Sequence, residues 1–191
     1  MLEGIATIAG VIGVVLLVRR SLWNFPFAIL SVSLFAIVFR DAKLYSDALL
    51  QLFFIAINLF GWWSWLRSQA SAGEVVVERL APIEQVAALS GMIGLTLGWG
   101  AIMATQTDAA HPYIDAAVAM LSVGAQILLA LRKLESWFVW IAVDLIAIPL
   151  FAAKGLYAAA VLYVIYLGLS VWGLRDWQRG LGRAEAGVVR A

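Results

Sequence analysis

The sequence predicts an all-α integral membrane protein with seven transmembrane helices, on three observations. Of its 191 residues, 64% are hydrophobic and 13% charged, with a mean hydropathy of +0.95. Soluble domains sit near half apolar and a quarter charged. Apolar runs recur at bilayer length, roughly 17–25 residues for a spanning helix. Finally, Lys and Arg counted by alternate loops fall ten on one side and three on the other. Arg19, Arg20, Arg67, Arg79, Arg132, Lys133, Arg175, Arg179, Arg183 and Arg190 make the rich side; Arg40, Lys43 and Lys154 make the poor one. This bias places the N-terminus outside and the C-terminus in the cytoplasm, which requires an odd number of spans.

The seven spans are read at 3–18, 22–39, 44–66, 81–104, 113–131, 135–153 and 156–177. The first reads as a span rather than a cleavable signal, because its positive charges, Arg19 and Arg20, follow it. Pro26 in the second and Pro149 in the sixth are each expected to remove a backbone hydrogen bond and permit a kink. The third is bounded by Arg67–Leu80, read as a short linker. The fourth carries Gly91, Gly94, Gly98 and Gly100 and is read as a linker helix packing closely through small residues. There are no cysteines, so neither a disulfide framework nor a thiolate metal site is expected. The single His111, in a loop beside Pro112, is not assigned a metal, and no cofactor is assigned. A net charge of +1 without a basic cluster gives no reason to expect nucleic acid.

Sliding the chain along itself by 112 residues aligns 1–67 with 113–179 without gaps, with fourteen identities. Arg20 meets Arg132, Leu44-Tyr45 meets Leu156-Tyr157, Gly61 meets Gly173, and Trp65 meets Trp177. Each unit holds three spans and one span lies between them, so the two have the same orientation: a parallel repeat. The expected organisation is a first repeat at 1–67, a linker with the fourth helix at 68–112, a second repeat at 113–179 and a cytoplasmic tail at 180–191. Transporters with such repeats place substrate near the bilayer midplane at the repeat interface.

Polar groups inside the spans point to function, because lipid tails cannot satisfy an amide. Gln51 and Asn58 stand about two turns apart on one face of the third span, with Trp62 one turn further on. In the sixth span, Trp137, Trp140 and Asp144 share a stripe. Paired indoles suit an aromatic ring or a cation. A carboxylate at mid-span costs about 2.5–3.5 kcal/mol on insertion scales, which marks Asp144 as a functional candidate. The bland alternative leaves Trp137 in an interfacial belt and Asp144 protonated against a neighbouring helix. On the fifth span, Asp115, Ser122 and Gln126 share a face; Ser122 has the option of back-bonding to its own helix, and Asp115 of simple solvation. On the seventh, Tyr163, Tyr166 and Ser170 share a face, Tyr163 and Ser170 being the repeat equivalents of Gln51 and Asn58. Trp172 and Trp177 read as interfacial anchors or gates.

Three stretches are similar to the PnuC family of bacterial vitamin transporters: Leu44-Tyr45 followed by Gln51-Leu-Phe-Phe, Asn58-Leu-Phe-Gly61-Trp62, and Glu135-Ser-Trp137-Phe-Val-Trp140. The likeness runs from Leu2-Glu3-Gly4 to Gly173-Leu-Arg-Asp-Trp177. It implies a SWEET-like fold of two three-helix bundles joined by a linker helix, a homotrimer in the bacterial cytoplasmic (inner) membrane, and no enzymatic activity. It also implies uptake of nicotinamide riboside by facilitated diffusion, with trapping by a cytoplasmic vitamin kinase. Relatives carrying thiamine, riboflavin or deoxynucleosides keep those substrates open. The family's Trp-x-x-Trp motif and the position four residues on map to Trp137, Trp140 and Asp144. Asp144 departs from the Asn of nicotinamide riboside carriers, and Trp172 stands where some members have Asn.

Other classes fit less well. A retinal protein needs a buried lysine, and Lys43, Lys133 and Lys154 all sit at span ends. No pair or cluster with active-site spacing suggests an intramembrane enzyme. A non-transporting scaffold gives no reason to bury Gln51, Asn58, Gln126 and Asp144.

Overall fold

The computed structural model describes the backbone of residues 1–41, 45–107 and 110–188. Lys43, Leu44, Asp108, Ala109 and Arg190, which entered the charge count, the Leu-Tyr motif or the fourth loop, lie outside the described residues. So do the side chains of Tyr45 and Arg183. Among the described residues seven helices run in order: α1 (Leu2–Val18), α2 (Asn24–Asp41), α3 (Tyr45–Ala72), α4 (Pro82–Gln106), α5 (Pro112–Ala130), α6 (Glu135–Ala153) and α7 (Tyr157–Val188). Six of them, α2 to α7, are long and apolar enough to cross a membrane. At 17 residues, α1 is about 25 Å long, a little short of a hydrocarbon core of roughly 30 Å. Large apolar side chains stand exposed along the helices, as Ile83, Val86, Ile93 and Leu97 do on α4. Lipid, not a protein core, is the natural solvent for such surfaces.

The described chain forms two compact units. The first comprises Met1–Val77, Ala130–Arg132 and Arg179–Ala191; the second comprises Glu78–Leu129 and Lys133–Gln178.

In the first unit, α1 buries Ala6, Ala9, Gly13 and Leu17, a stripe at helical spacing whose small residues let α2 approach. Ser31 Oγ on α2 donates to the Ala6 carbonyl at 2.8 Å. Pro26 is the third residue of α2, where a backbone N–H has no intrahelical acceptor. The kink expected at Pro26 therefore has no cause; it opens the helix instead. α3 continues past Arg67 to Ala72 and stops at Gly73, whose φ of +77° suits glycine. The linker read at Arg67–Leu80 is thus helical over its first six residues, Arg67 to Ala72.

In the second unit, Pro149 does lie inside α6. The close packing expected of α4's glycines holds at one position. A Cβ at Gly91, Gly94 or Gly98 would meet nothing within 4 Å, whereas one at Gly100 would strike the Tyr113 ring. α4 relies also on Met92, whose side chain lies against Gly124 of α5. Ahead of α4, Glu78 pairs with Lys133 in an isolated parallel bridge. The Glu78 carbonyl accepts from Leu134 N–H at 2.9 Å, and Lys133 Nζ donates to Glu78 Oε2 at 2.7 Å. Lys154 Nζ donates to Asp115 Oδ1 at 2.5 Å, joining the end of α6 to the start of α5, so Asp115 is ion-paired rather than simply solvated.

Positions 112 apart behave alike. The turns after α1 and α5 each pass through one left-handed non-glycine residue, Arg20 at φ 56° and Arg132 at φ 60°. Only a few per cent of non-glycine residues adopt that conformation.

Candidate functional site

Helices α6 and α7 of the second unit bring together Asp144, Tyr163, Tyr166 and Ser170 of the polar residues singled out from sequence. Asp144, midway along α6, is 1% exposed. Ser170 Oγ on α7 donates to Asp144 Oδ2 at 3.1 Å, and Ser170 is itself buried. One and two turns back along α7 stand Tyr166 and Tyr163, both half-buried and both within electrostatic reach of the Asp144 carboxyl. Their rings meet edge to face, with centroids 6.1 Å apart, and Phe151 flanks Tyr163 at 5.2 Å. Trp140 is half-buried and packs with Tyr163 against the cluster of Val118, Val143, Ala147 and Leu150. A carboxyl, a hydroxyl, two phenols and an indole face so converge along one helix pair. Such a set can hold an aromatic ring by its face and bond hydroxyl, amide or cationic groups.

Trp137 is placed differently from its stripe partners. It is 1% exposed, with its ring edge to face on Trp177 at 5.4 Å. A Cβ at Gly173 would lie 2.5 Å from that ring. Trp137 therefore fills the notch that Gly173 leaves in α7, and it belongs neither to an interfacial belt nor to an open surface. Trp177, expected as an anchor or gate, is fully buried as the other half of this packing pair; Trp172 is 39% exposed. On α5, Ser122 Oγ donates to the Val118 carbonyl at 2.7 Å, the back-bonded arrangement. Gln126 is half-buried on the same helix.

In the first unit, Asn58 is 4% exposed and its Nδ2 donates to the Phe54 carbonyl at 2.7 Å. Gln51 is half-buried two turns earlier. Trp62 stacks on Phe25, with centroids 6.4 Å apart and planes 9° from parallel. Phe25 also stands edge to face on Trp65 at 5.2 Å, and a Cβ at Gly61 would lie 2.9 Å from its ring. Shifted by 112, Phe25, Gly61 and Trp65 become Trp137, Gly173 and Trp177. The correspondence of positions 25 and 137 is invisible to an identity count, because the two aromatic residues differ.

One structural connection has no local signature in the sequence. The segment before α4, read as a plain linker, is held to the start of α6 by the Glu78–Lys133 pairing and by Leu80 N–H donating to Glu135 Oε2 at 3.1 Å. The only signal in the sequence is a pair of opposite charges 55 residues apart, which no local pattern connects.

Comparison with known proteins bears on the chain as a whole. The family model described as "Nicotinamide mononucleotide transporter" matches residues 1–179. The nicotinamide riboside transporter PnuC of Escherichia coli (strain K12) is 29% identical over 202 residues, covering 92% of this chain and 84% of that protein. The riboflavin/roseoflavin transporter RibM of Streptomyces davaonensis is 35% identical over 182 residues, covering 91% and 82%. Among solved structures, a crystal structure of the vitamin B3 transporter PnuC superposes with a TM-score of 0.77 at 26% identity, over 95% of this chain and 82% of that one. With nearly its whole length matched and six of its helices long and apolar enough to span a bilayer, the chain is a multi-pass membrane protein and belongs to the PnuC family of transporters, not to a class of enzymes.

Proposed function

We propose that this chain takes up a B-type vitamin, nicotinamide riboside first, across the bacterial inner membrane by facilitated diffusion, with cytoplasmic phosphorylation trapping the product. The observation that carries the proposal is the Asp144–Ser170 contact beside Trp140, Tyr163 and Tyr166. A cationic nicotinamide ring has an indole face to stack on, and a carboxyl to meet its charge or a ribose hydroxyl. Trp137 acts in this scheme by packing behind Trp140's helix face. Gln51, Asn58 and Trp62 on α3, and Ser122 and Gln126 on α5, remain proposed contributors to binding. The two parallel repeats at 1–67 and 113–179 and the homotrimer belong to the same proposal. The matched aromatic–glycine notches 112 residues apart support the repeats.

A second substrate is favoured by a specific finding: the riboflavin/roseoflavin transporter shares 35% identity, more than the 29% shared with the Escherichia coli nicotinamide riboside transporter. Titration of the purified protein with nicotinamide riboside, riboflavin and thiamine separates the two. Hydrogen bonds to charged groups are worth about 1 kcal/mol more than neutral ones, so Asp144→Asn should weaken a cationic ligand about fivefold. Neutral riboflavin should be far less affected. Riboflavin binding tightly to wild type, with no measurable nicotinamide riboside binding, would reverse the substrate assignment.

The proposed orientation, N-terminus outside and C-terminus inside, rests on the charge bias. Single cysteines introduced into this cysteine-free chain read it directly. Thr107→Cys should react with an impermeant thiol reagent in intact cells and Ser71→Cys should not; the opposite pattern means an inverted protein.

A further inference from the structure

A cavity of about 370 Å³ lies in the second unit, among the first turns of α4 and α6, the end of α5 and Gln178 of α7. None of the candidate vitamin-site residues lines it. Its walls are apolar, built chiefly by Leu89, Met92, Leu128 and Phe138. Its polar end is different in kind. Arg79 and Glu135 both face it, and they do not pair with each other. The Arg79 guanidinium is exposed and has no polar partner among the described residues. Glu135 uses one carboxylate oxygen, Oε2, on the Leu80 N–H. That bond and the Glu78–Lys133 pairing hold Arg79 and Glu135 at neighbouring positions.

These charges sit where α4 and α6 begin, the level at which a spanning helix meets the headgroups. The apolar wall continues inward: Met92 lies ten residues beyond Pro82, about 15 Å along α4 and about half the hydrocarbon thickness. The cavity thus has a cation and an anion at its mouth and hydrocarbon along its length. A free polar solute has no use for the wall, and an anionic lipid is repelled by Glu135. A zwitterionic amino-phospholipid satisfies both ends of the cavity: its phosphate pairs with Arg79, its ammonium with Glu135, and an acyl chain covers Leu89, Met92 and Phe138.

We infer that this cavity is a binding site for one amino-phospholipid of the phosphatidylethanolamine type. Native mass spectrometry of the delipidated protein, titrated with phosphatidylethanolamine and with phosphatidylglycerol, tests the inference. Phosphatidylethanolamine should bind once per chain and about tenfold more tightly, the worth of one charge-assisted hydrogen bond at about 1.4 kcal/mol. Arg79→Ala should weaken it about fivefold, since a basic residue near a lipid surface contributes about 1 kcal/mol. Arg79 has no partner to lose, so this variant leaves the fold intact. Glu135→Gln should abolish the preference for phosphatidylethanolamine, and Leu89→Trp, which fills the cavity, should abolish retention. Equal binding of the two lipids by wild type, or undiminished retention in Leu89→Trp, would overturn the inference. So would an oligomer that falls apart in Leu89→Trp while lipid content stays the same, for then a second copy of the chain occupies the groove.

Discussion

The two units pack by one device and line it differently. In the first, Phe25 sits in the notch of Gly61 with Trp65 edge-on; in the second, Trp137 sits in the notch of Gly173 with Trp177 edge-on, both pairs meeting at 89°. One turn further along α2 and α6 the likeness ends. Positions 28 and 32 are Ala and Val, while their counterparts 140 and 144 are Trp and Asp. Accordingly Asn58 donates to its own helix, but its counterpart Ser170 reaches across to Asp144. Polarity moves the other way one residue earlier. Ser31 bonds the Ala6 carbonyl in the first unit, and the same two positions, Val143 and Val118, form an apolar core in the second. Notches and turns recur 112 residues apart, whereas the residues of the proposed vitamin site fall where the two units differ.

Three experiments break or sharpen this contrast. The largest effect is expected where the lining differs most. Trp140→Ala gives α6 the residue that α2 has at the matching place. Stacking on aromatic side chains is worth about 1–3 kcal/mol per nucleic-acid base, so on that scale vitamin affinity should fall roughly 5- to 150-fold in an equilibrium titration. An unchanged affinity would confine the indole to packing. The scaffold is probed next by a methyl group in each notch. Gly173→Ala should destabilise by about 1–3 kcal/mol through overpacking, measured as thermal unfolding in detergent. Gly61→Ala should cost less, because its Cβ would stand 2.9 Å rather than 2.5 Å from the opposing ring. Equal losses would mean that the two notches are equally tight. The smallest effect concerns the acidic residue that opens each half. Asp115→Asn removes the pairing with Lys154, a partly exposed bridge worth about 0.2–1 kcal/mol, and its stability loss should shrink in high salt. Glu3→Gln, at the matching position, has no described partner to lose and should leave the melting temperature unchanged.

The helices were legible because a bilayer imposes length and apolarity on each span, and those are local properties of sequence. Span ends were less legible. α3 runs to Ala72 because nothing in Leu66–Ala72 breaks a helix, although Arg67 ends the apolar run. The effect of Pro26 is not legible in sequence, because it depends on distance from a helix start, which sequence locates only within a few residues. In the site, the pairing of Ser170 with Asp144 was anticipated as two polar faces, without the partner. Periodicity assigns residues to a face but does not orient that face toward a neighbour. The same limit hid the burial of Trp137: it shares a stripe with Trp140 and Asp144, and the notch that receives it lies on another helix. Within the chain, a Cβ at α4's Gly91, Gly94 or Gly98 would meet nothing within 4 Å, since small residues permit close approach without requiring it.

Arg132 makes the first unit depend on a residue that lies far along the chain. Its guanidinium donates to Ser64 Oγ at 2.6 Å and to the carbonyls of Ser64 and Val76 at 3.2 and 3.1 Å, yet it lies 68 residues beyond Ser64 in the chain. The ribosome adds about 5–20 residues per second, so α3 emerges some 3–14 s before the side chain that ties its end. Phe25, Gly61 and Trp65 are all made by then. The residues of the aromatic notch are therefore synthesised before the side chain that ties the end of α3, and the first unit, which also takes in Arg179 and Gly180, has all its parts only when the second half of the polypeptide has been made.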